Sequence, residues 1–320
     1  MKNGVINIYK NKGMTSFQVV YKIRKLTGES KIGHTGTLDP DAVGVLPICL
    51  GKATKLVDFL MDTDKQYRAV MVLGTRTDTQ DVSGTVLESM EKSQVLEQLN
   101  GESGAEEKIL SAFEKFQGVI NQLPPMYSAV KVNGVKLVDA ARKGKEIERK
   151  SRPVTIYNYA DIHISGLDES DNPVKISFTV DCSKGTYIRT LCQDIGSFLN
   201  VPACMESLER TRTSGLDLST AITCEEFEKE FKEGRGEDYI IPTDAFLTKY
   251  GSITATDDAV KKLIYGNWLI ASDFEKIPDG ETDGTVYRVY DNKENFYALY
   301  RYSQRDRYYK CEKMFYEVNN

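Results

Sequence analysis

The stretch that most constrains this chain runs from Gly33 to Gly51 and reads GHTGTLDPDAVGVLPICLG. Its glycines allow backbone angles that other residues resist, while Pro40 fixes its own φ and pushes Asp39 towards an extended conformation. An apolar run, VGVLPICL, follows directly and is typical of a buried segment. We therefore predict a rigid loop that presents Asp39 as a candidate reactive carboxylate. The alternative is an ordinary turn in which Asp39 hydrogen-bonds to its own backbone.

Length and composition predict a soluble globular protein of about two domains. The chain has 320 residues, of which 40% are hydrophobic and 28% are charged. It has no run of about 18 apolar residues, which a membrane span needs, and its first residues lack the features of a signal peptide. Six cysteines without a CxxC pair, together with only two histidines, predict reduced thiols, a cytoplasmic location and no metal site.

The net charge of −5 argues mildly against a nucleic-acid partner, but the charges are unevenly distributed. The segment 131–152 contains eight Lys or Arg and three Asp or Glu, which gives a local charge of +5. Two acidic segments, 88–107 and 225–238, carry local charges of −5 and −4 and are typical of solvated helix faces. They lower the average charge without covering the basic segment. That segment is either a phosphate-binding surface or one more solvated face.

Local patterns predict strands and helices in alternation along most of the chain. Strands are expected at 4–9, 67–73, 85–88, 127–132, 154–164 and 174–181. Helices are expected at 17–26, 54–61, 105–116 and 136–142, and a further helix is expected to run from Thr186 to about residue 199. Ser16 is expected to cap the first of these helices and Thr186 the last. From residue 251 onwards the sequence consists of short tyrosine-rich runs such as FYALYRY. These runs predict a small separate β domain.

Four further side chains are candidates for chemistry. Arg189 falls in the first turn of the last predicted helix, where a cation is unfavourable because the helix N-terminus already carries partial positive charge. It either pairs with a carboxylate such as Asp39, binds phosphate, or is a surface arginine without a partner. Tyr67 and Tyr187 are either half-buried aromatics or rings that stack on an extruded base. A single histidine in a loop, such as His34, is more often a polar loop residue than a catalytic residue.

Six blocks of this sequence resemble the motifs of the TruB family of bacterial tRNA pseudouridine synthases. GHTGTLDPDAVGVLP resembles the catalytic motif, GVINIYKNKGMTS is similar to the N-terminal signature, and DKQYRAVMVLGTRTDTQDVSG resembles the tyrosine motif. MYSAVKVNGVKLVDAARKG resembles the RNA-gripping thumb, CSKGTYIRTLCQDIG the arginine motif, and SLERTRTSG the leucine-containing strand. Because the blocks occur in family order from Gly4 to Gly215, together they are far more specific than any one of them.

The resemblance implies roles for the candidate residues. Asp39 corresponds to the catalytic aspartate, and Arg189 to the arginine that pairs with it. Tyr67 corresponds to the tyrosine that stacks on the target base and has been proposed as a proton acceptor. The residues expected to contact the flipped nucleotide or its surroundings are His34, Tyr187 and Leu208. The residues expected to contact the RNA backbone from the thumb are Lys131, Lys136, Arg142, Lys143 and Lys145.

The resemblance also implies a fold and a substrate. The expected fold is α+β, with a mixed, largely antiparallel sheet, flanking helices and an active site in a central cleft. A catalytic domain is expected at 1–250, with the thumb inserted at about 124–152, followed by a small PUA-like RNA-binding domain at 251–320. The implied reaction converts uridine 55 in the T stem-loop of tRNA into pseudouridine without a cofactor or metal. A monomer with no obligate protein partner and no membrane contact is expected.

Two alternatives and two departures from the family pattern accompany this interpretation. The chain could instead be a non-catalytic tRNA-folding chaperone, or a guide-RNA-dependent box H/ACA synthase subunit, which shares the catalytic motif but lacks the thumb.

Asn11 stands where the family usually has proline, and Asp41 stands where an apolar residue usually follows Asp-Pro. A second carboxylate would raise the pKa of Asp39 if the two came close, but we expect Asp41 to face solvent.

Overall fold

The computed structural model of the chain describes residues 3–100, 104–168 and 172–316. Its α-helices are α1 (Ser16–Thr27), α2 (Val57–Met61), α3 (Lys92–Leu99), α4 (Ala105–Lys115), α5 (Leu137–Ala141), α6 (Ile188–Phe198), α7 (Cys224–Lys232) and α8 (Asp257–Ile264). Its first strands are β1 (Gly4–Lys10), β2 (Ile32–His34), β3 (Val43–Leu50), β4 (Lys65–Leu73), β5 (Thr75–Thr77), β6 (Val86–Ser89), β7 (Gly118–Gln122), β8 (Lys131–Val132), β9 (Val135–Lys136) and β10 (Arg152–Ser165). The later strands are β11 (Lys175–Cys182), β12 (Ala203–Thr213), β13 (Leu216–Asp217), β14 (Ile222–Thr223), β15 (Ile241–Pro242), β16 (Gly251–Thr254), β17 (Val286–Tyr290), β18 (Phe296–Ser303) and β19 (Tyr308–Met314).

One large sheet forms the body of the molecule. Its strand order is β14-β1-β3-β12-β4-β11-β10-β7, with β2, β13 and β15 paired at its sides. The pairs β1–β14 and β3–β12 are parallel, and the others are antiparallel. The predicted fold class, a mixed and largely antiparallel sheet with flanking helices, is therefore confirmed.

Strand β4 lies near the middle of this sheet and shows why the sequence pattern was informative. Its alternate residues Tyr67, Ala69, Met71 and Leu73 are buried, as the period of two predicts. Helices α1, α4 and α6 cover the apolar face of the sheet and contribute to its core. Phe113 of α4, for example, packs edge-to-face on aromatic rings of β10 and β11. Burial of such a side chain stabilises the fold by about 1.5–3 kcal/mol.

Both predicted helix caps are displaced by one residue. Thr15, not Ser16, caps α1: its hydroxyl accepts a hydrogen bond from the backbone N–H of the third helical residue. Ser16 is buried and bonds to the loop around Asp39 instead. At α6 the N-cap is Tyr187, which makes no side-chain cap, and the hydroxyl of Thr186 donates to the carbonyl of Ser183. At α1 a tertiary contact takes up the predicted cap residue, whereas at α6 a local hydrogen bond in the preceding turn does so.

The thumb segment, residues 124–152, contains the short hairpin β8–β9 and helix α5. The strand predicted at 127–132 is wrong over most of its length, because only its last two residues pair. The predicted basic helix is present as α5, whose apolar residues Leu137 and Ala140 are buried. The charged side chains are therefore left on the outside of the segment.

A second sheet, β16-β17-β18-β19, begins where the sequence predicts a change of domain. It packs with α8 around its own aromatic core. Leu299 and Phe315 of this part, however, join Val5, Val45 and Leu56 of the first part in one apolar cluster. The two parts thus share buried surface, and the division at residue 250 remains a prediction.

The approach of β3 to β12 yields a stability prediction. Gly44 has φ +102°, and a Cβ there would lie 2.3 Å from the backbone oxygen of Arg210. Gly134 has a similar φ of +82°, but a Cβ there would meet nothing within 4 Å. Gly134→Ala should cost about 1–2 kcal/mol of unfolding free energy through backbone strain alone. Gly44→Ala should cost about 1–3 kcal/mol more, because the two strands must move apart.

Urea denaturation of both variants measures this difference. Equal losses for the two variants would mean that β3 and β12 do not approach as closely as described.

Candidate active site

Two adjoining cavities open on one face of the large sheet. The larger has a volume of about 850 Å³ and is lined in part by Asp39, Tyr67, Tyr187, Arg189 and Leu208. The smaller, about 430 Å³, shares Asp39, Arg189 and Leu208 with it. Four residues from distant parts of the chain thus surround Asp39, which lies at the boundary of the two cavities.

The loop that carries Asp39 is held on both sides by buried groups. The backbone N–H of Leu38 donates to the hydroxyl of Ser16 at 2.9 Å, and the ammonium of Lys10 donates to the carbonyl of Pro40 at 2.9 Å. Burial lowers the pKa of Lys10 to about 8, and the nearby carboxylate of Asp39 opposes that shift. The loop is therefore rigid because its backbone is bonded to β1 and α1, not because of its own glycine and proline alone.

Arg210 of β12 is a buried residue that no sequence pattern singled out. Its guanidinium donates to the carbonyl of Val45 at 2.8 Å and to the carbonyl of Gly36 at 3.1 Å. The charge of this guanidinium also opposes the rise in the pKa of Tyr67 that burial causes. A buried arginine needs such partners. Arg210 thereby connects the reactive loop to β3 and to the tyrosine in the cavity.

Arg189 is only 5% exposed, and its guanidinium binds in four directions. Nε lies 3.0 Å from a carboxylate oxygen of Asp39. Nη1 donates to the carbonyl of Thr79 and Nη2 to the carbonyl of Tyr127, both at 2.9 Å. Nη1 also lies 3.7 Å from a carboxylate oxygen of Asp81. The ion pair between Arg189 and Asp39 that the sequence suggested is present, and the two carboxylates explain how a cation is tolerated at a helix N-terminus.

The charge state of Asp39 depends on opposing influences. Burial raises the pKa of Asp39, and the Arg189 guanidinium is the strongest influence that lowers it. The carboxylate of Asp81 raises that pKa further, and Asp41 contributes less. Asp41 itself is exposed, as expected. The second carboxylate of the site is therefore Asp81, which no local sequence signal indicated.

Aromatic and apolar side chains form the walls beside Asp39. Tyr67 on β4 is buried, and burial raises the pKa of its hydroxyl. Leu208 lies on the neighbouring strand β12, two positions from Arg210, which pairs with Tyr67 in register. Tyr187 is fixed through its backbone, since its N–H and C=O both bond to the side chain of Gln122, at 2.9 and 3.0 Å. These walls can accept a flat, uncharged ring next to a carboxylate.

The structure does not bring every predicted residue to the cavities. His34 ends β2, its Nδ1 accepts a hydrogen bond from the N–H of Gly36, and burial lowers its pKa. It is not among the residues that line either cavity. The five predicted thumb cations are all exposed, and of these one lines the smaller cavity. The exposed residues are Lys131, Lys136, Arg142, Lys143 and Lys145, and the cavity residue is Arg142.

Across residues 3–100, 104–168 and 172–316, no three His, Cys, Asp or Glu side chains are grouped so that they could hold a metal ion. None of the helices in the same ranges has the length and hydropathy that crossing a bilayer requires.

Comparison with known proteins connects this geometry to a family. The model of the TruB family pseudouridylate synthase N-terminal domain matches residues 24–188, and that of the tRNA pseudouridylate synthase B C-terminal domain matches 189–248. The chain is 39% identical to tRNA pseudouridine synthase B of Lactiplantibacillus plantarum, over 98% of this chain and 99% of that protein. It is 45% identical to the protein of that name from Clostridium tetani, over 93% and 94%.

Solved structures with similar folds point to the same family. A chain of an H/ACA ribonucleoprotein bound to a substrate RNA containing 2′-deoxyuridine is 25% identical, with a TM-score of 0.66 over 98% of this chain and 85% of that one. A chain of a Cbf5–Nop10–Gar1 complex is 28% identical, with the same TM-score and coverage. Family models that together cover residues 24–248, and relatives aligned over nearly the full length, show that this chain belongs to the TruB family of pseudouridylate synthases.

Proposed function

We propose that this protein converts uridine 55 in the T arm of tRNA into pseudouridine, with Asp39 as the catalytic residue. The observation that supports this most directly is the ion pair of Asp39 with the nearly buried Arg189, at the boundary of two cavities large enough for a nucleotide. The relatives named tRNA pseudouridine synthase B support tRNA as the substrate. As an enzyme of tRNA, the protein would work in the cytoplasm.

The reaction is an isomerisation that needs no oxidant, reductant or added group. The N1–C1′ glycosidic bond breaks, the uracil turns, and a C5–C1′ bond forms while C5 loses a proton and N1 gains one. An ionised Asp39 can attack C1′, add to the base, or assist formation of a glycal intermediate. Arg189 favours the ionised form, which a lone carboxylate in this setting would resist.

The target base must leave its stack to reach Asp39. Extrusion costs a few kcal/mol of stacking and pairing, which contacts in the cavity must offset. We assign Tyr67 and Leu208, on adjacent strands that line the cavity, to holding the base from two sides, and Tyr187, which lines the same cavity, to contacts around the flipped nucleotide. Tyr67 is also a candidate proton acceptor, although burial keeps its hydroxyl protonated near neutral pH.

Phosphate contacts would come from the thumb segment and from the second sheet. The predicted thumb cations are exposed, and one of them, Arg142, lines the smaller cavity, so the segment offers positive charge to phosphates of an RNA bound there. The only tryptophan of the chain, Trp268, follows α8, is 58% exposed, and stacks on Tyr308 of β19 in the second sheet with ring centroids 4.4 Å apart. Exposed Arg305 and Arg307 precede Tyr308. Flat rings beside cations are typical of surfaces that bind unpaired bases.

The alternative functions predict different behaviour. A guide-RNA-dependent subunit would need further components, as the solved complex of Cbf5 contains Nop10 and Gar1, whereas we assign RNA binding in this chain to its own thumb segment. We propose that the protein acts alone, as a monomer without an obligate protein partner. A chaperone without catalysis would not need the pair of Asp39 and Arg189.

Replacement of Asp39 tests the proposed function. Asp39→Asn should abolish pseudouridine formation on full tRNA without guide RNA, because the amide is not a nucleophile. Its affinity for tRNA should stay within about tenfold, or 1.4 kcal/mol, because the residue is assigned to chemistry and not to phosphate binding. Asp41→Asn is the matched control, an exposed carboxylate two residues away, and should keep the wild-type rate. Single-turnover activity of Asp39→Asn near the wild-type rate would rule out this assignment.

The thumb segment yields a second prediction. Replacing Arg142, Lys143 and Lys145 by alanine should weaken tRNA binding and make its salt dependence shallower. The log–log slope should fall by about 0.7–0.9 for each phosphate that the protein no longer neutralises. Dissociation constants measured over a salt series, for wild type and the triple variant, give both quantities.

A matched control removes three exposed lysines from helices α4 and α7, which lie outside the thumb segment: Lys115, Lys229 and Lys232. This variant should bind as the wild type does. If the two triple variants give parallel lines with equal affinities, the thumb cations face only water. In the same assay, Trp268→Ala should weaken binding of full tRNA more than that of an isolated T arm if the second sheet contacts RNA.

A further inference from the structure

The larger cavity extends well beyond Asp39. Its far side is lined by the end of α2 and the segment just after it, by the start of β10, and by the turn between β11 and α6. A volume of about 850 Å³ lies near the upper end for small-molecule sites. A flipped uracil beside Asp39 and Tyr67 leaves most of the far side open. That side must therefore accommodate the sugar-phosphate chain on which the base is carried.

An ion pair spans this far side. The ammonium of Lys184, in the turn before α6, lies 2.5 Å from a carboxylate oxygen of Asp62, just after α2. Both residues line the cavity, and their side chains are 60% and 66% exposed. The proximity of the ammonium also lowers the pKa of Asp62. The pair thus joins two separate chain segments that both line the cavity, and it is largely exposed.

The charges around the pair are unusual for a cavity that receives RNA. Asp58 and Asp62 both line it from the side of α2, and carboxylates there repel phosphate. Arg152, at the start of β10, also lines the far side, is exposed, and makes no ion pair within 4.0 Å to a described residue. With Lys184 bound to Asp62, one of these two exposed cations is neutralised. An exposed ion pair of this kind contributes little to stability, so a competing anion can break it.

We propose that Lys184 binds a backbone phosphate of the substrate RNA next to the flipped nucleotide, and that this phosphate displaces the carboxylate of Asp62. The inference rests on the proposed function only in so far as RNA enters this cavity. In the free protein Asp62 holds the flexible lysine side chain at the entrance. In the complex Lys184 and Arg152 face the RNA backbone together, and Asp62 turns to solvent.

The experiment measures dissociation constants for a T-arm RNA hairpin over a salt series with four proteins: wild type, Lys184→Ala, Asp62→Asn and Lys232→Ala. Lys232 is the matched control, because it is an exposed lysine in an ion pair, 2.7 Å from Glu228, on α7 away from the cavity. Lys184→Ala should weaken binding about five- to tenfold at low salt and lower the log–log slope by about 0.7–0.9. Lys232→Ala should change neither quantity.

The variant Asp62→Asn shows whether Asp62 competes with the RNA phosphate for Lys184 or holds Lys184 in place in the complex. If phosphate displaces Asp62, the variant frees Lys184 and should bind RNA up to about fivefold more tightly, the range that an exposed pair permits. Weaker binding by Asp62→Asn would show that Asp62 supports Lys184 in the complex and would overturn the displacement. Equal affinities and slopes for Lys184→Ala and Lys232→Ala would overturn the phosphate contact.

Failure of this inference is distinguishable from failure of the proposed function. Pseudouridine formation by the wild type is assayed on the same hairpin. A wild type that binds the RNA but forms no product would contradict the proposed function, while the affinity series would still report on Lys184 and Asp62.

Discussion

The rest of the site depends on the ion pair between Asp39 and Arg189. A carboxylate that must stay ionised in a partly closed cavity needs a cation beside it, and a cation that is itself nearly buried needs partners in every direction. Arg189 finds them in two backbone carbonyls and two carboxylates. The pair is therefore fixed in place, and Asp39, with 39% of its side chain exposed, keeps one side open towards substrate.

This requirement ties together elements that are far apart in the chain. Arg189 is the second residue of α6, the carbonyl of Thr79 belongs to the loop between β5 and β6, and the carbonyl of Tyr127 lies near the start of the thumb segment. The thumb segment is thus bonded directly to the residue that pairs with Asp39. A movement of that segment would therefore change the surroundings of this ion pair. Buried Lys10 and Arg210 hold the reactive loop from its other side.

Sequence alone could predict what is encoded locally. The alternation in β4, the loop that presents Asp39 and the misplaced cation Arg189 were visible as patterns, and the motif order indicated the family. Asp81 and Arg210 were missed because their importance arises only when β5, α6, β3 and β12 come together. The predicted caps of α1 and α6 were each wrong by one residue, because Ser16 is taken up by the loop around Asp39 and Thr186 bonds within the turn before α6.

The central claim is that the ionisation of Asp39, set by Arg189 and opposed by Asp81, governs the reaction. The direct test is the pH dependence of the single-turnover rate for wild type, Asp81→Asn and Asp41→Asn. Because the Asp81 carboxylate raises the pKa of Asp39, its removal lowers that pKa, and activity should persist to lower pH in Asp81→Asn. Asp41→Asn should move the acidic limb less. An unmoved limb in Asp81→Asn, or a larger shift in Asp41→Asn, would contradict this account.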